Sequence, residues 1–380
     1  MTQGVLEGKC IVLGVTGSIA ATEVVRLCHQ LRREGAIVQA VMSPAACGII
    51  SPDALTYATG RETITRCTGM VEHVEYCGEG GKADMFLVAP CTANTIGKIA
   101  CGIDDTPVTT FATTAVGRGI PFVIAPAMHE SMYRHPAVKE NLDRLMRWGI
   151  DVIPPRIEEG RAKIAGNEEI VLHAKRALGG RPLAGKHVLI TSGACRERID
   201  DVRVLTTRST GMMGRALALE AFGLGADVAV VHSDRFPCIR NITVVTADEM
   251  RAAVLKECAT GTVDYYLSAA AISDFSPDPV AGKIQSGKPV TLHLHPLPKL
   301  LPQVCTKGKE RPVTVAFKMG KDGEAQARSM VEEGARMVII NSPDVMGSAG
   351  GDFVLLTGDK REEIRCTKEG LAGELWKRLL

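Results

Sequence analysis

One local pattern occurs twice in this chain and restricts the fold more than any other feature. Residues 8–43 read GKCIVLGVTGSIAATEVVRLCHQLRREGAIVQAVMS. An apolar run passes through a Gly/Ser turn into an amphipathic helix, which ends in glycine and gives way to a second apolar run. Residues 185–194, GKHVLITSGA, and then 214–233, GRALALEAFGLGADVAVVHS, repeat that order. Each copy reads as strand, helix, strand, the unit that places its two strands parallel. In the first helix Val24, Val25, Leu27, Cys28 and Leu31 share one face, and Gly35 stops it. The expected fold is therefore α/β, with two doubly wound parallel-sheet (Rossmann-like) domains in tandem.

The rest of the chain fits that expectation. Continuous apolar runs at 85–90, 121–126 and 150–155 in the first half, and at 263–271, 313–319 and 335–342 in the second, suit strands covered on both faces. A hairpin is expected over 350–366 and a terminal helix over 368–380. The stretch AKRALGGRPLAGK between the halves carries Gly-Gly and Pro, so the boundary is placed near Gly180, giving domains 1–179 and 180–380. A length of 380 residues suits two domains.

Composition removes several function classes. A formal net charge of +2 gives no field for a polyanion, and 4% aromatics give no base-stacking platform, so no nucleic-acid partner is expected. No apolar run reaches the length of a membrane span, and MTQGVLEGKC lacks the regions of a signal peptide. The twelve cysteines form no C-x-x-C or C-x-x-H pair, which argues against zinc and disulfide frameworks. These features point to a soluble, cytoplasmic protein without a membrane partner.

Ligands of such sheets bind beyond the carboxyl ends of the strands, which selects four loops in the first half. GVTGSIAA follows the first strand; Gly14 and Gly17 are expected to allow close backbone approach, and the helix start beyond them suits a phosphate. Ser43 ends the second strand and suits either that phosphate or a helix cap. APCTANTIGKIACGIDD, at 89–105, packs Thr92, Asn94 and Thr95 after a buried strand. Asn94 can donate to and accept from a planar heterocycle, while Thr92 or Asn94 equally suits a helix cap. PAMHESMY, at 126–133, sets Met128 and His129 just past another strand end.

Together these motifs resemble the FMN-dependent cysteine decarboxylase flavoproteins. SGACRERIDDVRVLTTRSTGMMG, at 192–214, resembles the opening of phosphopantothenate–cysteine ligase. The whole chain is thus similar to the bifunctional coenzyme A biosynthesis family, in which a phosphopantothenoylcysteine decarboxylase is fused to that ligase. The resemblance implies a flavodoxin-like first domain with FMN held by Gly17, Ser18, Ile19, Ser43, Thr92, Asn94 and Thr95. It implies His73 and His129 as catalytic histidines, and substrate binding by Met128 and His129. Decarboxylation of a cysteine carboxyl needs an electron sink, which oxidation of the thiol by a flavin provides.

In the second domain the resemblance implies CTP and Mg²⁺, with activation through an acyl-cytidylate. Arg203 and Lys283 are the implied catalytic cations, and Thr207 stands at a position that contacts the intermediate. Asp274, Lys283, Pro298, Lys299, Leu300, Leu301 and Phe317 are the implied CTP contacts, with Asn341 closing a neighbouring strand. The resemblance also implies a homo-oligomer: a trimeric decarboxylase core with FMN near a subunit interface, a dimeric ligase and together a dodecamer.

This chain departs from the family pattern at several positions. The usual P-x-M-N-x-x-M has His129 in place of Asn; a protonated imidazole would add an ion pair to a substrate carboxylate, so substrate binding is expected to depend on pH. The usual A-C-G of the substrate clamp aligns with EEGRAKIAGNEE, at 158–169, where Ile164 or Ala165 replaces the cysteine proton donor and Lys163 is the nearby alternative. In the ligase part Thr207 replaces Asn, Met212 replaces Lys, and Met330 and Gly334 replace two further lysines. Phosphate neutralisation is then expected from Arg208, Lys318 or Lys321. The departures fit a divergent, archaeal-type branch. Two other readings use the same residues: a decarboxylase-family flavoprotein with a degenerate ligase domain, and a non-catalytic flavoprotein regulator. His73, Asp274 and Lys283 favour catalysis.

Overall fold

The computed structural model describes residues 4–158, 161–234, 236–306, 311–320 and 323–380. The chain folds as two compact units, Met1–Arg181 and Pro182–Leu380. Among the described residues no helix is long and apolar enough to cross a membrane.

The first unit contains β1 (Cys10–Val15), β2 (Ile37–Met42), β3 (Met85–Cys91), β4 (Phe122–Pro126), β5 (Met128–His129), β6 (Asp151–Val152), β7 (Arg156–Glu158) and β8 (Arg161–Lys163). Five of them form an all-parallel sheet in the order β2-β1-β3-β4-β6. This is the flavodoxin strand order, and it reverses direction between β1 and β3. Every residue of β1 and β3 is buried, as continuous apolar strands require when helices cover both faces. The helix Val24–Arg33 buries Val24, Leu27, Cys28 and Leu31 on one side of the sheet. Gly35, at φ +87°, then turns the chain into β2. The opposite side is built on Phe86, Phe111, Ile96 and Leu145.

The strand expected over 150–155 pairs only at Asp151 and Val152, with one further bond from Ile153 N–H to Ile124 O at 2.9 Å. Pro154 and Pro155 follow, and a residue without an N–H cannot extend the ladder. The freed chain instead forms a small antiparallel sheet, β5-β8-β7, at the carboxyl end of β4.

The second unit contains β9 (His187–Thr191), β10 (Arg196–Arg198), β11 (Val204–Thr206), β12 (Asp227–His232), β13 (Arg240–Thr243), β14 (Tyr265–Ser268), β15 (Phe275–Pro277), β16 (Leu294–Pro296), β17 (Val313–Met319), β18 (Met337–Asn341), β19 (Gly350–Thr357) and β20 (Lys360–Thr367). Eight strands form one sheet, ordered β13-β12-β9-β14-β17-β18-β19-β20. The pairs up to β18 are parallel; β19 and β20 join as an antiparallel hairpin through Gly358 and Asp359. The order reverses between β9 and β14. Here β9 does not lead straight into its helix. Residues 192–211 intervene and carry the β10–β11 ribbon before helix Met212–Gly223. That helix packs against the terminal helix Lys368–Leu379, where Trp376 is fully buried and donates Nε1–H to Leu217 O at 3.2 Å.

Candidate active sites of the two units

In the first unit the turns after β1, β2, β3 and β4 meet around a cavity of about 900 Å³. It is lined by Gly17, Ser18, Ile19, Ser43, Thr92, Asn94 and Thr95, and also by Met128 and His129. All the residues assigned to FMN and to the decarboxylation substrate, apart from His73, thus face one space. Three hydroxyls at its edge cap helix or turn starts: Ser18 accepts from Ala20 N–H at 3.4 Å, Ser43 from Ala46 N–H at 3.3 Å, and Thr92 from Thr95 N–H at 3.4 Å. Capping and ligand contact are therefore not alternatives here. Each cap satisfies one N–H of its turn, and the other N–H groups of a helix start suit an anion.

Two small residues bring the turns together. A Cβ on Gly17 would lie 2.5 Å from that of Ala45, so only glycine lets the first turn sit against the second. Gly14 has a different role from the expected ligand approach. It lies within β1, and a Cβ there would meet Val108 at 3.0 Å and Phe86 at 3.2 Å, so it permits packing beneath the sheet. One residue that sequence reasoning passed over is Thr16. It is 1% exposed, donates its hydroxyl to Pro90 O at 2.7 Å and accepts the Thr92 N–H at 3.1 Å. This side chain ties the ends of β1 and β3 together at the point where the strand order reverses.

The small sheet supplies the far wall. β8 pairs with β5, in the register Met128↔Ala162 and His129↔Arg161, and Arg156, Lys163 and Ile164 line the cavity. Ala165 is 2% exposed and belongs to the core. Of the two positions aligned with the family cysteine, Ile164 is the one that faces the cavity, with Lys163 beside it. Lys98, also on the wall, pairs with Asp105 at 2.7 Å.

His73 departs from the expectation. It lies on the short helix Glu72–Cys77, its ring 6.4 Å from that of Phe111, and it is not on the cavity wall. Its Nδ1 is buried without a hydrogen-bond partner among the described residues. Within one chain, packing against the helix Pro107–Arg118 keeps it from the other assigned residues.

In the second unit the assigned residues fall into two groups. Phe317 and Asn341 line a cavity of about 130 Å³ at the carboxyl ends of β17 and β18, together with Ser209, Gly211 and Met212 at the start of helix Met212–Gly223. Ser192 supports that start: its hydroxyl donates to Gly211 O at 3.1 Å, and a Cβ on Gly214 would come within 2.3 Å of Ser192 Oγ. Arg203, Lys283, Asp274 and Lys299 lie elsewhere, on the irregular chain between strands. Asp274 pairs with Lys299, and Leu297 N–H bonds Asp274 O at 2.9 Å, so these two assigned CTP contacts do meet.

The loops that carry Arg203 and Lys283 are joined through Asp200, which the sequence did not single out. Asp200 accepts N–H bonds from Val202 at 2.8 Å, Arg203 at 2.6 Å and Ile284 at 3.1 Å, and it pairs with the Arg203 guanidinium. Arg203 also donates to Ile284 O at 3.2 Å, and Gly282 N–H bonds Asp201 at 3.0 Å. Burial opposes ionisation of Asp200. The three backbone donors and Arg203 outweigh it and hold the carboxyl well below the usual carboxylate range.

Three expectations need correction or limitation. Leu300 and Leu301 are 5% and 8% exposed and pack in the core, because they open helix Leu300–Thr306 with its apolar side inward, so their side chains are not nucleotide contacts. Pro298 and Lys299, just before them, are exposed. Arg208 and Lys318 do not line the cavity that Phe317 lines, and Lys321 lies outside the described residues. Thr207, at the position of the family Asn, has a buried Oγ1 without a partner among the described residues.

A flavodoxin-ordered unit with a cavity at its switch point, followed by a second doubly wound unit, is the architecture of a two-domain flavoprotein. Residues 2–178 match the family described as Flavoprotein, and residues 183–380 match the DNA/pantothenate metabolism flavoprotein C-terminal domain. The chain is 45% identical over 383 aligned residues to the coenzyme A biosynthesis bifunctional protein CoaBC of Thermococcus kodakarensis, covering 98% of this chain and 94% of that protein. It is 34% identical to the corresponding protein of Vibrio cholerae, over 90% of this chain and 89% of that one. For that of Methanocaldococcus jannaschii the identity is 37%, over 82% and 77%. The chain belongs to the family of coenzyme A biosynthesis bifunctional proteins.

Proposed function

We propose that the second unit joins 4'-phosphopantothenate to cysteine at the expense of CTP, and that the first unit decarboxylates the product to 4'-phosphopantetheine with FMN. The observation that carries this reading is the single cavity shared by Gly17, Ser18, Ser43, Thr92, Asn94 and Thr95 on one side and Met128 and His129 on the other. Its donor set fits a flavin mononucleotide: hydroxyls and turn N–H groups at one end for a phosphate, and Thr and Asn side chains for a heterocycle. Bound there, FMN supplies the electron-accepting chemistry that makes a cysteine carboxyl labile.

The chain's own residues position and move protons. His129 and Met128 hold the substrate end, with the imidazole directed to its carboxylate. Lys163 delivers the proton that the family cysteine would otherwise supply. His73 reaches the reaction from a neighbouring copy, which fits its place off the cavity wall. Exposed Ile19, Met70 and Met132 on this unit support such a trimeric contact. Exposed Val202 and Val204 on the β10–β11 ribbon and Phe275 on β15 support a dimer of the second unit, and the two together a dodecamer.

In ligation, a carboxylate oxygen of phosphopantothenate attacks the α-phosphorus of CTP and pyrophosphate leaves. The cysteine amine then attacks the acyl carbon and CMP leaves. Arg203 and Lys283 balance the charge on the phosphate through both steps, and Asp200 holds their loops together. Mg²⁺ enters with the substrate, on the nucleotide phosphates. Twelve free thiols fit a reducing, cytoplasmic setting.

Mass-resolved product analysis with phosphopantothenate, cysteine, CTP and Mg²⁺ tests the reading. Phosphopantetheine is expected. Accumulated phosphopantothenoylcysteine would reject the decarboxylase assignment and leave the ligase, whereas no product with either CTP or ATP would reject the ligase and with it the bifunctional reading.

A further inference from the structure

The cavity that Phe317 and Asn341 line contains a lysine to which no motif pointed. Lys368 opens the terminal helix directly after β20, and it is 4% exposed. Its ammonium donates to Ser348 O at 2.6 Å and lies 4.0 Å from the sulfur of Met212. It lines the same cavity as Gly211, Met212, Phe317 and Asn341. Among the described residues no carboxylate lies within ion-pairing distance of it. Burial lowers the ammonium below its ordinary range, against the opposing pull of Glu369, the next residue in the chain.

A role confined to holding the Ser348 carbonyl does not require a charge. A neutral donor would bind that oxygen without the desolvation that a buried cation suffers. An ammonium has three donors, and among the described residues one carbonyl and a weak thioether acceptor are all that meet it. What remains is directed to a cavity at the start of a twelve-residue helix, at the carboxyl ends of β14, β17 and β18. Met212, whose sulfur touches the ammonium, occupies the position where the family pattern has a lysine. The cation missing from position 212 is thus found in the same place, reached from the other end of the domain.

We propose that Lys368 is the cation that neutralises a phosphate of the nucleotide in the second unit, in place of the lysine absent at position 212. The proposal rests on reading this unit as a nucleotide-dependent ligase.

Calorimetric titration of the full chain with CTP and with cytidine, in Mg²⁺, tests it. Lys368→Met is expected to weaken CTP about ten- to a hundredfold, the loss of one charge-assisted contact, and to leave cytidine unchanged. The double variant Lys368→Met with Met212→Lys returns the charge from the other side and is expected to recover most of the CTP affinity. Unchanged CTP affinity in Lys368→Met would overturn the proposal. Equal loss for CTP and cytidine, without recovery in the double variant, would also overturn it and leave a structural role. A native chain that binds neither CTP nor ATP would reject the nucleotide reading and Lys368's role with it, whereas the other two outcomes leave that reading standing.

Discussion

Thr16 and Thr92 are joined across the switch point of the first sheet: the Thr92 N–H donates to Thr16 Oγ1 at 3.1 Å, and that hydroxyl donates onward to Pro90 O at 2.7 Å. The bond fixes the first residue after β3 relative to β1, and so fixes the turn that carries Asn94 and Thr95. Thr16→Val preserves shape and removes both bonds, leaving the Thr92 N–H and Pro90 O without that partner. We expect a loss of about 1–3 kcal/mol in stability and roughly tenfold weaker FMN binding. Thermal unfolding and flavin fluorescence titration check both. A variant with normal flavin affinity would show that the switch point is held by other contacts.

Asp200 ties the Arg203 loop to the loop that holds Ile284. Asp200→Asn retains the shape but weakens its hold on Arg203 and on the Ile284 N–H. Ligation, followed by pyrophosphate release, is expected to fall about a hundredfold through misplacement of the two cations. Decarboxylation of supplied phosphopantothenoylcysteine by the same preparation should be unchanged. A parallel loss of both activities would point to unfolding and reject the positioning role.

Lys163 lines the decarboxylase cavity at the edge where the family cysteine is missing. Lys163→Met is expected to retain bound flavin, read by its absorbance, and to slow product formation at least about a hundredfold. Full activity would assign the final proton to solvent or to another group.

His232 gives the second unit a pH-dependent stability. It is 1% exposed, accepts the Asp234 N–H at Nδ1 at 2.9 Å, bonds Asn241 Oδ1 through Nε2 at 2.7 Å, and stacks on Phe236. The Nδ1 bond requires the neutral ring. Burial pulls the imidazole below its ordinary 6.5, against the Asn241 bond and the Asp234 charge. Because the folded value is the lower one, the unfolded chain takes up its proton first as pH falls. This contribution is therefore complete above about 6.5 and declines below it. The unfolding temperature should drop between about pH 7.5 and about pH 5.5, and less steeply in His232→Gln. Equal slopes in the two proteins would exclude His232 as the source.

Much of the first site was legible because it is built from strand ends. Gly17, Ser18, Ser43, Thr92 and Met128 each follow an apolar run, and parallel strands deliver such residues to one edge of a sheet whatever the details of packing. The second site was less legible because its residues sit on long irregular connections. The position of Asp274 against Lys299, or of Arg203 against Ile284, depends on how segments about 25 and 81 residues apart fold back on each other. Of the implied nucleotide contacts at 298–301, Leu300 and Leu301 pack in the core.

The sequence by itself determined the two βαβ openings, the buried strands, the terminal hairpin and helix, and the polar turns at the strand ends. Those follow from periodicity and turn chemistry, which act over a few residues. Only the tertiary structure decided the strand orders, the separation of His73 from the cavity at the first switch point, the choice of Ile164 over Ala165 at its wall, and the meeting of Lys368 with Met212, 156 residues apart. Such contacts arise from register and packing between distant elements. No local pattern records them, because each partner satisfies its own local rules without the other.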